Sequence, residues 1–213
     1  MRKVLIVLAI IAAVAFANSF RLENPVFIGG GTDDKLQYDD GSSHWLTWGG
    51  LYRGVWFDTQ DFLPGSNGLE CDNTEYWFYH HAERPWDTSD FYAELWNGGA
   101  SAPIAELDKA TLTATHNSAV YSNYATAIDT EQNFWAFVNT EMSAGGWPSL
   151  LGDNTPNTTD HSFFSDDFIV WEPWIITGSV ASDYFVMASG TIIPDTTGAL
   201  DAASWGTIKG LYR

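Results

Sequence analysis

Residues 133–140 read NFWAFVNT. Phe134, Ala136 and Val138 alternate with Trp135 and Phe137, so a period of two puts apolar side chains on both faces. A strand of that kind belongs in the middle of a sheet covered on both sides. Working outward, FYAELW (91–96) alternates Phe91, Ala93 and Leu95 with Tyr92, Glu94 and Trp96, the pattern of a half-buried strand. ATLTATH (110–116) alternates Leu112 and Ala114 with threonines. Further β-type runs are HWLTW (44–48), LYRGVWF (51–57), TEYWFYHH (74–81), HSFFSDDFIVW (161–171) and DYFVMASG (183–190).

Turn chemistry separates these runs. Gly49-Gly50 reads as a hairpin turn between the first two. DFLPGSNG (61–68), AERPWDTSD (82–90), SAGGWPS (143–149) and GDNTPNTTD (152–160) read as loops. About ten short strands without a sustained helical period predict an all-β fold. The expected form is a two-sheet antiparallel β-sandwich of jelly-roll type. An immunoglobulin-type sandwich needs only seven strands and fewer residues. At the end, SWGTIKGLYR (204–213) repeats Trp205, Ile208 and Leu211 every three residues, which predicts a short helix weakened by Gly206 and Gly210.

The chain opens Met1-Arg2-Lys3, runs uncharged from Val4 to Phe16 and reaches Ala15-Phe16-Ala17. A basic start, a short apolar stretch and a small-x-small end are those of a secretory signal peptide, 1–17. The expectation is therefore an extracellular protein with no membrane span in the mature chain. After it come an irregular lead-in (18–35), the sandwich (36–193) and a C-terminal loop with the short helix (194–213). One cysteine, Cys71, excludes an internal disulfide, so stability must come from the core, with bound ions as an optional addition. Without Arg2 and Lys3, seven basic residues face 27 acidic ones, a net charge of about −20. Such a field repels phosphate backbones and anionic lipid, which argues against nucleic-acid and membrane-surface roles.

The acidic pairs Asp39-Asp40 and Asp166-Asp167 lie beside turns, and calcium takes carboxylate and carbonyl oxygens from such loops. A structural calcium ion is the one cofactor expected, with Asp39, Asp40, Asp166 and Asp167 as candidate ligands. The alternative is that these side chains accept local backbone hydrogen bonds in solvated turns. The five histidines show no zinc spacing, and the chain has no G-x-S-x-G nucleophile motif. Cys71 sits among acids and reads as a structural thiol. Glu94, Glu172, Asp166 and Asp167 are conceivable glycosidase carboxylates, but the Glu-x-Asp-x-x-Glu strand of jelly-roll glucanases is absent. Trp86, Trp147, Trp171 and Trp174 fall in loops, where indoles are harder to bury than in strands. They are candidate ligand-binding residues, because an apolar ring face suits the apolar face of a pyranose. Closing the ends of the core is the competing role for the same rings.

Tyr38-Asp-Asp-Gly41 in YDDGSSHWLTWGG, followed by GVWF, FYAELW, NFWAFV, GGWPSLLGD, HSFFSDDFIVWEPW and DYFVMASG, resembles secreted β-sandwich modules of environmental bacteria. Those modules are often found upstream of type IX-type sorting or FlgD-like β-domains. Tyr38 to Gly41 and Ser162 to Asp167 occupy the family's two boxes. The resemblance covers most of 36–190 and implies an extracellular β-sandwich with no particular catalytic residues. The sequence ends at Arg213 without a sorting domain, so release or self-assembly is expected over surface attachment. Taken together, these features favour a non-catalytic protein binding carbohydrate or another cell-surface component. A structural subunit of an extracellular layer or filament is the alternative, and a secreted glycan hydrolase the third.

Overall fold

A computed structural model describes residues 18–27, 35–154, 160–176 and 180–195. The leader 1–17 and the helix expected over 204–213 lie outside the described residues. The early strands are β1 (Asn18–Phe27), β2 (Lys35–Leu36), β3 (Ser42–Trp48), β4 (Tyr52–Asp58), β5 (Ser66–Phe78), β6 (Asp90–Asn97), β7 (Ala105–Thr113) and β8 (Ser118–Asp129). They are followed by β9 (Asn133–Asn139), β10 (Leu150–Gly152), β11 (Ser162–Ser165), β12 (Glu172–Pro173), β13 (Ile175–Ile176), β14 (Val180–Ala181) and β15 (Val186–Pro194). One sheet runs β1-β3-β10-β5-β15-β2, with β8 also paired to β5. The other runs β12-β11-β4-β9-β6-β7, and β13-β14 form a separate small ladder. All strand ladders are antiparallel. The molecule is an all-β, two-sheet antiparallel sandwich.

β9 occupies the central position its sequence demands, between β4 and β6. Phe134, Ala136 and Val138 enter the core between the sheets with Val55, Phe57, Phe91 and Leu95, facing Leu69, Tyr76, Phe78 and Val186 of the other sheet. Trp135 and Phe137 point the opposite way, where Phe163 and Trp171 cover them. The outer face of this sheet is thus a second apolar layer. Each sheet contributes side chains at alternate positions, and burial of large rings is the main favourable term at roughly 25 cal/mol per Å² of apolar surface. Cys71 is fully buried within the core, and burial pushes its thiol up to about 12.

Three segments differ from their sequence reading. The stretch read as an irregular lead-in carries β1, which pairs with β3 through Asn18↔Trp48 and Phe20↔Leu46. β5 begins at Ser66, inside the stretch read as a loop, and its early residues pair with β15. Gly49-Gly50 is not a hairpin turn, because β3 and β4 lie in different sheets. Both glycines have positive φ, 80° and 73°, and they carry the chain across the sandwich.

A buried cation holds that crossing. Arg53 on β4 is fully buried, and its guanidinium donates to the carbonyls of Gly49 (2.8 Å), Gly146 (2.8 Å) and Pro148 (2.8 Å). Burial lowers its pKa to about 10, still far above neutral, so the charge persists. Gly49 N–H adds a bond to the same Gly146 carbonyl at 3.2 Å. A Cβ at Gly146 would stand 2.6 Å from the Gly49 backbone, so only glycine fits this contact. Arg53→Met is expected to lower unfolding free energy by roughly 2–4 kcal/mol, since buried carbonyls lose charge-assisted donors. Urea denaturation followed by circular dichroism checks this; an unchanged midpoint would contradict it.

Candidate functional site

The four loop tryptophans divide into two pairs. Trp171 is 8% exposed and packs against Trp135 and Phe137, with ring centroids 4.8 and 5.3 Å away. Trp174 is 2% exposed and stacks on Tyr184 at 4.5 Å. Both rings close the sandwich and offer no free face to a ligand. Trp86 and Trp147 are half-buried and belong to one end of the molecule.

That end is assembled by Asp87. Its carboxylate accepts from Ser143 Oγ (2.7 Å), Ala144 N–H (2.9 Å) and Gly145 N–H (3.2 Å), tying the loop after β5 to the loop after β9. Trp86 Nε1 donates to Ser149 Oγ (2.8 Å), which donates to the Tyr79 carbonyl (2.7 Å), so the indole is held in one orientation. Trp86 lines an open cleft of about 490 Å³ together with His80, Asp87, Thr88, Ser89 and His116. His80 N–H donates to His116 Nδ1 (3.1 Å), and the His80 ring lies 4.9 Å from Trp86. On the neighbouring surface Trp147 stacks nearly parallel on Trp48, at 5.1 Å and 10°. The Arg84 guanidinium sits 5.5 Å from the Trp48 ring centroid. The sequence pointed to Trp86 and Trp147; it gave no sign of His80, His116 or Trp48, which join them only through the fold.

The four aspartates proposed as ligands also separate. Asp167 accepts from Ile169 N–H (2.8 Å) and Val170 N–H (2.9 Å), and these bonds lower its pKa. It caps a solvated turn, as does Asp40, whose Oδ1 accepts from Ser42 N–H at 2.8 Å. Asp166 lies near Gly50 in the turn after β11. Asp39 alone is buried, at 6% exposed. Its Oδ1 accepts from Gly41 N–H (3.0 Å) and Gln37 Nε2 (2.9 Å). Two buried aspartates the sequence did not single out, Asp153 and Asp183, lie close enough to act on it. Asp153 Oδ1 accepts from Ser182 Oγ (2.6 Å) and Asp183 N–H (2.8 Å), and Asp183 Oδ1 accepts from Ser162 Oγ (3.0 Å). Burial, reinforced by neighbouring carboxylates, pushes Asp39 up to about 8 and Asp183 up to about 7, and raises Asp153.

Of the conceivable glycosidase acids, Glu94 is buried under Lys109 (3.0 Å), Trp96 Nε1 (2.8 Å) and Asn139 Nδ2 (2.6 Å). Glu172 lies on β12, four strands away in the same sheet. At about 4.8 Å per strand they stand roughly 19 Å apart, beyond the roughly 5–9.5 Å that paired glycosidase carboxylates span. Among the described residues, no group of three or more His, Cys, Asp or Glu side chains is placed to hold a metal ion. No helix among them is long and apolar enough to cross a membrane. Comparison with known protein families, curated proteins and solved structures gives no match.

The carboxylate corner fixes a pH dependence. Folded-state pKa values raised above the ordinary 3.8 mean that the fold favours the protonated forms. Their stabilisation is complete below 3.8 and is lost as pH rises through about 7 and 8. With divalent cations chelated, Tm is expected to fall over that range, and more steeply than in Asp39→Asn. Parallel slopes in the two proteins, measured by calorimetry, would count against the assignment.

Proposed function

We propose that this chain is a secreted, non-catalytic module that binds carbohydrate or another cell-surface component at the Trp86 end of the sandwich. The observation that carries the reading is the cleft itself. One indole, clamped by Ser149, shares a 490 Å³ opening with two imidazoles, two hydroxyl side chains and a carboxylate. An apolar ring beside polar groups is the chemistry a pyranose presents in reverse. The clamp also limits the entropy lost when a ligand orders the ring. Asp87 is committed to three hydrogen bonds with the 143–145 segment, which makes it a brace. The Trp48–Trp147 stack with Arg84 extends the aromatic surface for a longer glycan.

Export rests on the leader 1–17 and on the resemblance to secreted modules. A structural subunit remains the second reading, and it draws support from Ile169, 78% exposed, and Val170 on the turn after β11. Polysaccharide pull-down or a glycan array is expected to retain the wild-type protein. Trp86→Ala should weaken the best hit by about tenfold, the worth of one aromatic contact. Because Trp86 also packs against the core, His80→Ala serves as a second variant and thermal melts accompany both. No retention on any glycan, with concentration-dependent sedimentation instead, would favour the subunit reading.

A further inference from the structure

The outer face of the six-stranded sheet carries two irregularities at one place. Phe168, half-buried in the turn after β11, has φ of 64°. That left-handed region is a marked outlier for a bulky aromatic residue. Such strain persists only where the surroundings hold it, and it clusters at ligand clamps and switch segments. Here the Phe168 ring sits in a box of four others: Trp96 (centroids 4.8 Å apart), Tyr52 (5.0 Å), Trp171 (5.7 Å) and Phe137 (5.9 Å). The second irregularity is the Trp171 indole, 8% exposed, whose Nε1–H is buried without a hydrogen-bond partner. Its ring neighbours Trp135, Phe137 and Phe168 carry no acceptor atom. Trp86, Trp96 and Trp135 do find acceptors, as buried indoles ordinarily do; Trp56, in the same aromatic layer as Trp171, does not.

We propose that Phe168 is an exchangeable plug, and that the box beneath it is a second ligand site for an uncharged aromatic ring bearing an oxygen acceptor, of the phenol class. The turn is built to move as a unit. Asp167 Oδ1 accepts from Ile169 N–H (2.8 Å) and Val170 N–H (2.9 Å), and Ser165 Oγ accepts from Phe168 N–H (3.1 Å). These bonds stay within residues 165–170, and Ile169 and Val170 are exposed, so the Phe168 ring is what fastens the turn to the sheet. Ligand size follows from the phenyl ring now in place, at ordinary aromatic contact distances. The ligand oxygen accepts from Trp171 Nε1–H, which Phe168 cannot do. Glu94, bonded by Trp96 Nε1 (2.8 Å), would repel an anion beside the box, and its pairing with Lys109 (3.0 Å) leaves it spent for a cation. Swinging out releases Phe168 from its left-handed φ. The site is distinct from the Trp86 cleft, since the box lies on the outer face while Trp86 packs against the inter-sheet core.

The test titrates p-cresol into the wild-type chain, with toluene as the control of similar shape and no oxygen. In amide NMR spectra, p-cresol is expected to move the Trp171 Nε1–H signal, and residues 168–170 to lose exchange protection. p-Cresol should bind about tenfold tighter than toluene, the worth of one hydrogen bond. Trp171→Phe identifies the indole signal and should abolish that preference. Phe168→Gly removes the plug and suits the left-handed φ, so it should bind p-cresol about tenfold tighter than wild type, no closed state competing. An unmoved Trp171 signal in wild type, with p-cresol and toluene bound equally by Phe168→Gly, would overturn the proposal: the box would be plain core, and the variant a mere cavity. No response to p-cresol in either protein would overturn it as well. Where Phe168→Gly does not fold, the wild-type titration decides alone.

Discussion

A single buried guanidinium sets the geometry on which the rest of this sandwich depends. Arg53 stands where the chain passes from one sheet to the other, and its three carbonyl bonds join the Gly49-Gly50 crossing to the 146–148 loop. The desolvation cost of such a charge is several kcal/mol. Its compensation comes from three charge-assisted bonds to backbone carbonyls. The same clamp fixes the loop carrying Trp147, and Asp87 fixes that loop from the other side. The aromatic end is therefore built on braced backbone, which is what a preformed binding surface requires.

Aromatic burial does the work that disulfides do in many small domains. The six-stranded sheet is apolar on both faces: phenylalanines fill the inter-sheet core, while Trp135, Phe137, Phe163 and Trp171 form an outer layer. This is why a chain with 11 tryptophans need not display them. Trp171 and Trp174 show the consequence, for the segment after β11 folds back over the sheet and takes both rings inside.

The legible part of the fold was the part governed by local period. NFWAFVNT and FYAELW announced β9 and β6, and the apolar character of both faces of β9 placed it centrally. β8 escaped because Val120, Tyr124 and Ile128 are only partly buried against the core, and Ser122 and Thr126 at the alternate positions between them interrupt the apolar pattern. The Gly49-Gly50 crossing was unreadable for another reason: positive φ permits a turn but does not say whether the strands it joins will pair. For the site, composition indicated Trp86 and Trp147 yet could not tell them from Trp171 and Trp174. That distinction depends on what packs above each ring. Asp153 and Asp183 were silent for the same reason, being distant from Asp39 in sequence and adjacent only after β10 and β15 dock.

The two chemically distinct corners of the molecule share one short strand. Ser149, which clamps Trp86, immediately precedes β10; Asp153, in the carboxylate corner, immediately follows it. Four residue steps of extended chain separate them, about 13 Å. β10 is held by pairing to β3 over three residues and to β5 at a single one, Leu150↔Phe78. Phe185 N–H to the Leu151 carbonyl (3.0 Å) and Asp153 N–H to the Asp183 carbonyl (2.9 Å) add to this pairing, so the segment carrying Asp183 braces the strand that leads back to Ser149. Protonation of Asp39 and Asp183, which burial favours, relieves carboxylate repulsion at the far end of β10, and that relief is lost as pH rises through about 7 and 8. The carboxylate corner and the Trp86 clamp are thus joined through a strand of three residues.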